Sequence, residues 1–211
     1  MFLQYFYCCI HRFLSSVCVV LAVLLVGSEA FSLSWPKFGR CPDLSVQQVF
    51  QLQDYMGVWY TQNGYNLAMT QGKGRCAYAN YTLDTEHNYV KVKNQQISAS
   101  TNKWESISGI AEPVDPSKDE GKFTVNLYVW GFWKVTGPYW VLGTDYSTYS
   151  VVYGCDNFLF FFHYYSSWVL SRAQNMSPKA ASSFYRRVNA TLVKNNLDLS
   201  TFEAIDQSNC F

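Results

Sequence analysis

The sequence predicts an all-β fold, an eight-stranded antiparallel up-and-down barrel with one C-terminal helix packed on the outside. Three observations carry this. From Gly57 to Arg172 the chain reads as eight short runs rich in β-branched and aromatic residues. Turn clusters such as "DTEHN", "SASTN", "PVDPSKDEG", "TGP" and "CDN" divide them at hairpin length. After Arg172 the apolar period changes from strand-like to helical. A two-sheet sandwich is the alternative for such a series.

Residues 1–30 read as a secretory signal peptide. His11 and Arg12 precede the apolar run Val17–Val26, and Ser28-Glu29-Ala30 offers small residues at a cleavage site. That run is too short to span a bilayer comfortably. Residues 31–211 then make a single domain large enough for a substantial core. The net charge of +1 survives removal of the leader, and no basic cluster suggests nucleic acid. Of the seven cysteines, Cys8, Cys9 and Cys18 leave with the leader. Cys41, Cys76, Cys155 and Cys210 remain, which in an exported chain reads as two disulfides. They are too far apart in sequence for a typical zinc site, so no metal is expected. Asn80 and Asn189 head glycosylation sequons; Asn175 heads a weaker one, with Pro178 behind it.

The eight runs are Val58–Asn63, Cys76–Leu83, Tyr89–Ile97, Trp104–Glu112, Lys122–Val129, Pro138–Thr144, Tyr149–Cys155 and Tyr164–Arg172. In the first, alternation puts Gly57 and Trp59 on one face, the smallest side chain beside the largest. In the second, a glycosylated Asn80 turns Cys76, Tyr78 and Thr82 outward and Ala79, Tyr81 and Leu83 inward. In the third, outward Lys91 and Lys93 leave Val90, Val92, Asn94 and Gln96 inside. The fifth shows Phe123, Val125 and Leu127 on one face. Asn94 and Gln96 on an apolar inner wall favour a partly hollow interior, because a buried amide needs a partner. Ser177 and Pro178 start a helix, whose apolar stripe is Ala181, Phe184, Tyr185, Val188 and Leu192.

Three stretches then resemble the lipocalin family, nearest its apolipoprotein D branch and its invertebrate bilin- and carotenoid-binding members. Gly57-Val58-Trp59 resembles the family's G-x-W, Thr144-Asp145-Tyr146 its T-D-Y, and Arg172 in "WVLSRA" the arginine ending its last strand. The four cysteines, and "GRCAYANYTL" around the second, are placed as in that branch. The resemblance implies that Trp59 plugs the closed end of the barrel, with Arg172 laid across its ring and Thr144, Asp145 and Tyr146 closing the same end. Such a cation–π contact is worth about 1–2 kcal/mol. These roles are structural. For the disulfides, Cys76 and Cys155 point outward from runs well apart around the barrel and cannot meet. Two pairings stay open, and the resemblance favours Cys41–Cys155 with Cys76–Cys210.

The function expected is a secreted, extracellular carrier of a small hydrophobic ligand: a lipid, steroid, fatty acid, bilin or carotenoid. The expected cavity wall is Ala79, Tyr81, Val90, Val92, Asn94, Val125, Leu127, Tyr139, Trp168 and Leu170. An interaction or inhibitor protein with a filled barrel is the runner-up. An enzyme is not expected: the mature chain has only His87 and His163, no catalytic spacing, and no cysteine left over. No cofactor is implied. The odd-numbered links share one end, where "WGFWK" and "NFLFFF" concentrate aromatics and Leu67 and Met69 add to them. Trp130, Phe132, Trp133, Phe158, Leu159 and Phe160 would there either cap the ligand or contact membranes or lipoprotein particles.

Overall fold

In the computed structural model the described residues are 36–67, 70–129 and 133–210, with the Trp133 side chain excepted. The leader, Met69, Trp130, Phe132 and that side chain lie outside them. Strands β2 (Gly57–Tyr65), β3 (Gly74–Asp84), β4 (Tyr89–Ser98), β5 (Trp104–Pro113), β6 (Lys122–Val129), β7 (Trp133–Thr144), β8 (Tyr149–Phe158) and β9 (Phe162–Ser171) pair antiparallel in chain order. The pairing of β9 with β2 closes the barrel. A barrel has no free edges, so its strands can bury one full face without exposing a pairing template. Short strands β1 (Lys37–Phe38) and β10 (Glu203–Ala204) add to β9 and β2.

Helix α1 (Leu52–Tyr55) is a single turn, and α2 (Pro178–Lys194) lies on the outer wall. The α2 start follows the sequence: Ser177 caps it through Ala180 N–H, with Pro178 at the first position. Phe184, Val188 and Leu192 are its buried stripe, packed with Val151, Tyr153 and Val169. On β8, Ser150 to Tyr153 are all buried, since one face meets the interior and the other meets α2. That double burial is why this strand lacks a polar–apolar alternation.

Two strands run further than their turn-like residues suggest. β7 begins at Trp133 and β8 continues to Phe158, leaving only 159–161 as the last hairpin turn. Aromatic residues fit pleated surfaces and pair across strands, so what reads as loop is ladder.

The structure corrects Cys76, expected on the solvent face. Its φ is +56° and the β3–β4 register shifts between Arg75 and Tyr78, so Cys76 and Ala77 are both buried. A bulge defeats alternation. Beyond Tyr60↔Tyr78 strand β2 leaves β3, and the C-terminal tail fills the seam. Gln207 Nε2 donates to Thr61 O (2.8 Å) and Ala77 O (2.9 Å), while Cys76 N–H donates to Asp206 O (2.7 Å). The disulfides are Cys41–Cys155 and Cys76–Cys210.

Candidate functional site: the closed end and its cavity

Gly57 opens β2 with φ +91°, a conformation glycine adopts without strain, and a Cβ there would press on the Arg172 guanidinium. Trp59, on the same face, is fully buried. Its Nε1–H donates to Tyr55 O (2.8 Å), and Arg172 Cζ lies 3.8 Å from its ring centroid. Arg172 also donates to three backbone carbonyls, those of Tyr146, Val58 and Asp54, each at 2.9 Å. One guanidinium therefore ties the end of β9, the start of β2, α1 and the β7–β8 turn together. The planar five-donor head makes this possible, and lysine could not match it.

The T-D-Y turn is the second lock. Thr144 Oγ1 donates to Tyr149 O and accepts from Tyr146 N–H. Asp145 Oδ1 accepts from the N–H groups of Ser147, Thr148 and Tyr149, and its Oδ2 meets Thr148 Oγ1 and the Arg187 guanidinium of α2. The Tyr146 hydroxyl accepts from Gln51 N–H (3.1 Å). Burial alone would raise the Asp145 pKa, but these hydrogen bonds and Arg187 hold it below the ordinary carboxylate value. A depressed folded pKa contributes stability above the unfolded value of about 3.9 and loses it as pH falls through the folded one. Unfolding midpoints measured between neutral pH and strong acid should therefore fall less steeply in Asp145→Asn than in wild type. Equal slopes would remove Asp145 from the acid response.

The segment before β2 forms the rest of the floor. Phe50 packs against Tyr55, Phe123 and Tyr146 at centroid distances of 5.1, 5.4 and 5.8 Å. Gln47 and Phe50 N–H donate to Val141 O and Asp119 O, stitching this segment to the wall.

Above the floor lies a small cavity, with about 50 Å³ of enclosed space inside an opening of about 410 Å³ that includes open solvent. Six expected residues border it: Tyr81, Val90, Val92, Asn94, Val125 and Tyr139. Leu52, Tyr55, Met56, Ala111 and Phe123 complete the lining. Ala79, Leu127, Trp168 and Leu170 do not border it. Ala79 is the cross-strand partner of Trp59 and, with Leu170, sits in the solid core; Leu127 and Trp168 pack against that core. The bulk of Trp59 and Trp168 fills the β9–β2 side, which pushes the cavity off-centre toward β3–β7. Leu52, Tyr55 and Met56 give no sequence signal because one helical turn is too short to show a period. Ala111 and Phe123 were legible from alternation: Ala111 pairs with Val90 and Val125, and Phe123 lies two residues from Val125 opposite Tyr139.

The polar groups on this lining form a chain. Tyr81 Oη, Tyr139 Oη, Tyr55 Oη and Ser150 Oγ follow one another at 3.0, 3.0 and 2.8 Å. Three bonds use three of the four hydroxyl hydrogens. Ser150 is fully buried with no further acceptor among the described residues, so a spare hydrogen there would be orphaned. The chain therefore runs from Ser150 toward Tyr81, leaving the Tyr81 O–H to point at the cavity's contents. Burial raises the pKa of Tyr55 to about 12 and pushes Tyr81 and Tyr139 well above the phenol range, so all three are neutral donors. Nearby, Asn94 is opposite Ala79 while Tyr81 is opposite Val92, which sets the two on adjoining strands. Asn94 Oδ1 is buried without a hydrogen-bond partner.

The mouth differs from expectation. The β2–β3 link, not the aromatic hairpin, reaches over the interior. Leu67 is buried against Gly64, where any Cβ would collide with it. Gln71 accepts from Trp168 Nε1 through Oε1 (3.2 Å) and from Gln96 Nε2 through its carbonyl (2.6 Å). Phe158, Leu159 and Phe160 form no cap: they are 50%, 68% and 87% exposed.

The lipocalin / cytosolic fatty-acid binding protein family model matches residues 56–209. Apolipoprotein D of Macaca fascicularis is 35% identical over 178 residues, 82% of this chain and 86% of that protein. Lazarillo protein of Schistocerca americana is 29% identical over 203 residues, 94% of this chain and 87% of its own. The solved structure of insecticyanin from the tobacco hornworm Manduca sexta has a TM-score of 0.65 at 24% identity, covering 82% of this chain and 90% of that one. With the G-x-W floor, the T-D-Y turn and the terminal arginine meeting in one closed barrel end, this chain belongs to the lipocalin / cytosolic fatty-acid binding protein family.

Proposed function

We propose that this protein is a secreted carrier of a compact, neutral hydrophobic molecule bearing a hydroxyl group. The observation that carries the reading is the pairing of an apolar cavity with one polar pole, the Tyr81 hydroxyl and the unpartnered Asn94 amide. A ligand hydroxyl can accept from Tyr81 and donate to Asn94, relieving an orphaned buried oxygen worth about 1–3 kcal/mol. The lining carries no cation to meet a fatty-acid or bilin carboxylate and no anion to meet an ammonium. A charged head would enter unpaired, which is costly. The enclosed space is small, which favours a compact skeleton over a long carotenoid. With no carboxylate, imidazole or thiol on it, the lining supports binding rather than catalysis.

Secretion is supported by the leader-like sequence of residues 1–30 and by two disulfides. Asn80, Asn175 and Asn189 are all exposed, which supports glycosylation there. The exposed hairpin supports transient docking of the mouth on membranes or lipoprotein particles, so that ligand passes without crossing water. Trp133→Ser with Phe158→Ser should then slow ligand transfer from liposomes and leave equilibrium affinity for free ligand nearly unchanged.

Native mass spectrometry before and after organic extraction tests the carrier. A stoichiometric neutral lipid is expected, and extracted protein should bind a neutral alcohol at least about tenfold more tightly than the carboxylic acid on the same skeleton. Ala111→Phe, which fills the cavity, should abolish that binding in a folded protein. Protein that holds nothing and rebinds nothing would favour the filled-barrel interaction protein instead.

A further inference from the structure

The links at the two ends of the barrel differ in charge. At the closed end, links 85–88, 114–121 and 145–148 hold Glu86, Asp115, Asp119, Glu120 and Asp145 with Lys118, while Arg187 pairs with Asp145, Lys122 with Glu120, and Arg172 lies on the floor. At the mouth, links 66–73, 99–103, 130–132 and 159–161 hold Lys73 and Lys103 and no acid. Lys134 stands at the mouth end of β7, and Arg40 follows β1, the strand laid along the last hairpin. These four cations are exposed, and none is in an ion pair among the described residues. Acids stand on the same rim: Glu105, second in β5, accepts from Thr101 Oγ1, Glu203 pairs opposite Gly64, and Asp156 is two pairs down from Phe158, where burial raises its pKa.

On the same rim stands an apolar tip. Phe38, Leu159, Phe160 and Phe161 are 80%, 68%, 87% and 63% exposed. β1 holds the tip from one side through Phe38↔Phe162 and the Gly39 N–H to Phe161 O bond (2.7 Å). Cys41–Cys155 anchors the chain just behind it. Exposed apolar surface of this kind is unusual on a soluble monomer unless something covers it. Cations beside aromatics are the pattern of a segment seated at the interface of an anionic bilayer, where each lysine or arginine adds electrostatic attraction and the rings enter the headgroup layer.

We propose that the mouth end docks on anionic lipid bilayers, with the Phe158–Phe161 tip and Phe38 entering the interface and Arg40, Lys73, Lys103 and Lys134 contacting headgroup anions. This rests on the docking reading above and adds to it the chemistry of the surface. It also gives an orientation: the links of the closed end are the more acidic, so the mouth faces the lipid on approach.

The test is flotation of the full mature chain with phosphatidylcholine vesicles, with and without phosphatidylserine. Partitioning onto phosphatidylserine-containing vesicles should be at least about tenfold higher and should fall as salt is raised. Lys73→Glu with Lys103→Glu and Lys134→Glu should reduce it to the phosphatidylcholine level, while Phe160→Ser with Phe161→Ser should weaken binding to both. Equal, salt-insensitive binding to the two vesicles would overturn the anionic selection and leave apolar docking standing. Binding to neither would overturn both. Affinity for free ligand, measured on the same variants, stays separate from either outcome.

Discussion

Trp59→Ala is expected to destabilise the protein by about 3–5 kcal/mol, the usual cost of truncating a fully buried tryptophan. The ring is covered on every side. Tyr55 packs on it at 5.1 Å between centroids, Arg172 covers it at 3.8 Å, and its Nε1–H satisfies Tyr55 O. Alanine would leave a void, an unpaired carbonyl and an unsupported guanidinium together. Arg172→Ala should cost about 2–4 kcal/mol, because three backbone carbonyls lose a charged donor at once. Arg172→Lys should recover little, since a compact ammonium cannot lie flat on the indole and reach carbonyls spread along the guanidinium's Nε, Nη1 and Nη2. Urea unfolding should show shifted midpoints with unchanged m values. Ligand affinity should change less than stability, because Trp59 and Arg172 do not border the cavity. A folded Arg172→Ala protein that bound no ligand would overturn this separation of floor from binding wall.

Replacing both Cys76 and Cys210 with serine should cost about 4–5 kcal/mol in the chain-entropy model, given a loop of 134 residues. The local consequence is the more telling. Past Tyr60 strands β2 and β3 no longer pair, and the tail fills the gap with β10, Asp206 and Gln207. Gln207 Oε1 is itself buried without a partner, so the tail's fit is incomplete and the disulfide holds it in place. In the double mutant, amide exchange should accelerate at Thr61–Tyr65 and Arg75–Ala77 while β5–β8 keep their protection. Removing Cys41–Cys155 should instead loosen β1 and the aromatic hairpin. Wild-type exchange across the β2–β3 seam in the Cys76/Cys210 mutant would show that backbone bonds alone close it.

Much of this architecture was legible from local pattern. Alternation along β3, β4 and β6 placed Tyr81, Val90, Val92, Asn94 and Val125 on the inner wall, and period alone separated α2 from the strands. The contact of Trp59 with Arg172 was expected only from the resemblance to the lipocalin family, while alternation put Gly57 and Trp59 on one face. These features depend on neighbours one or two residues away, which a linear sequence displays directly.

The remainder depended on contacts between distant parts of the chain. Nothing near Leu52 or Tyr55 announces a cavity floor; that role comes from the bonds tying residues 47–50 to β7 and the β5–β6 link. The bulge at Cys76 interrupts the alternation, and the tail covers that residue through Cys210 and Asp206. Trp168 reads as cavity wall until Gln71, far away in the chain, folds in to hydrogen-bond it. Sequence by itself determined which side chains face inward, because the pleat repeats every two residues. Tertiary structure decided which of those inward groups meet one another and which meet empty space, because that depends on how large side chains from opposite walls share one closed volume.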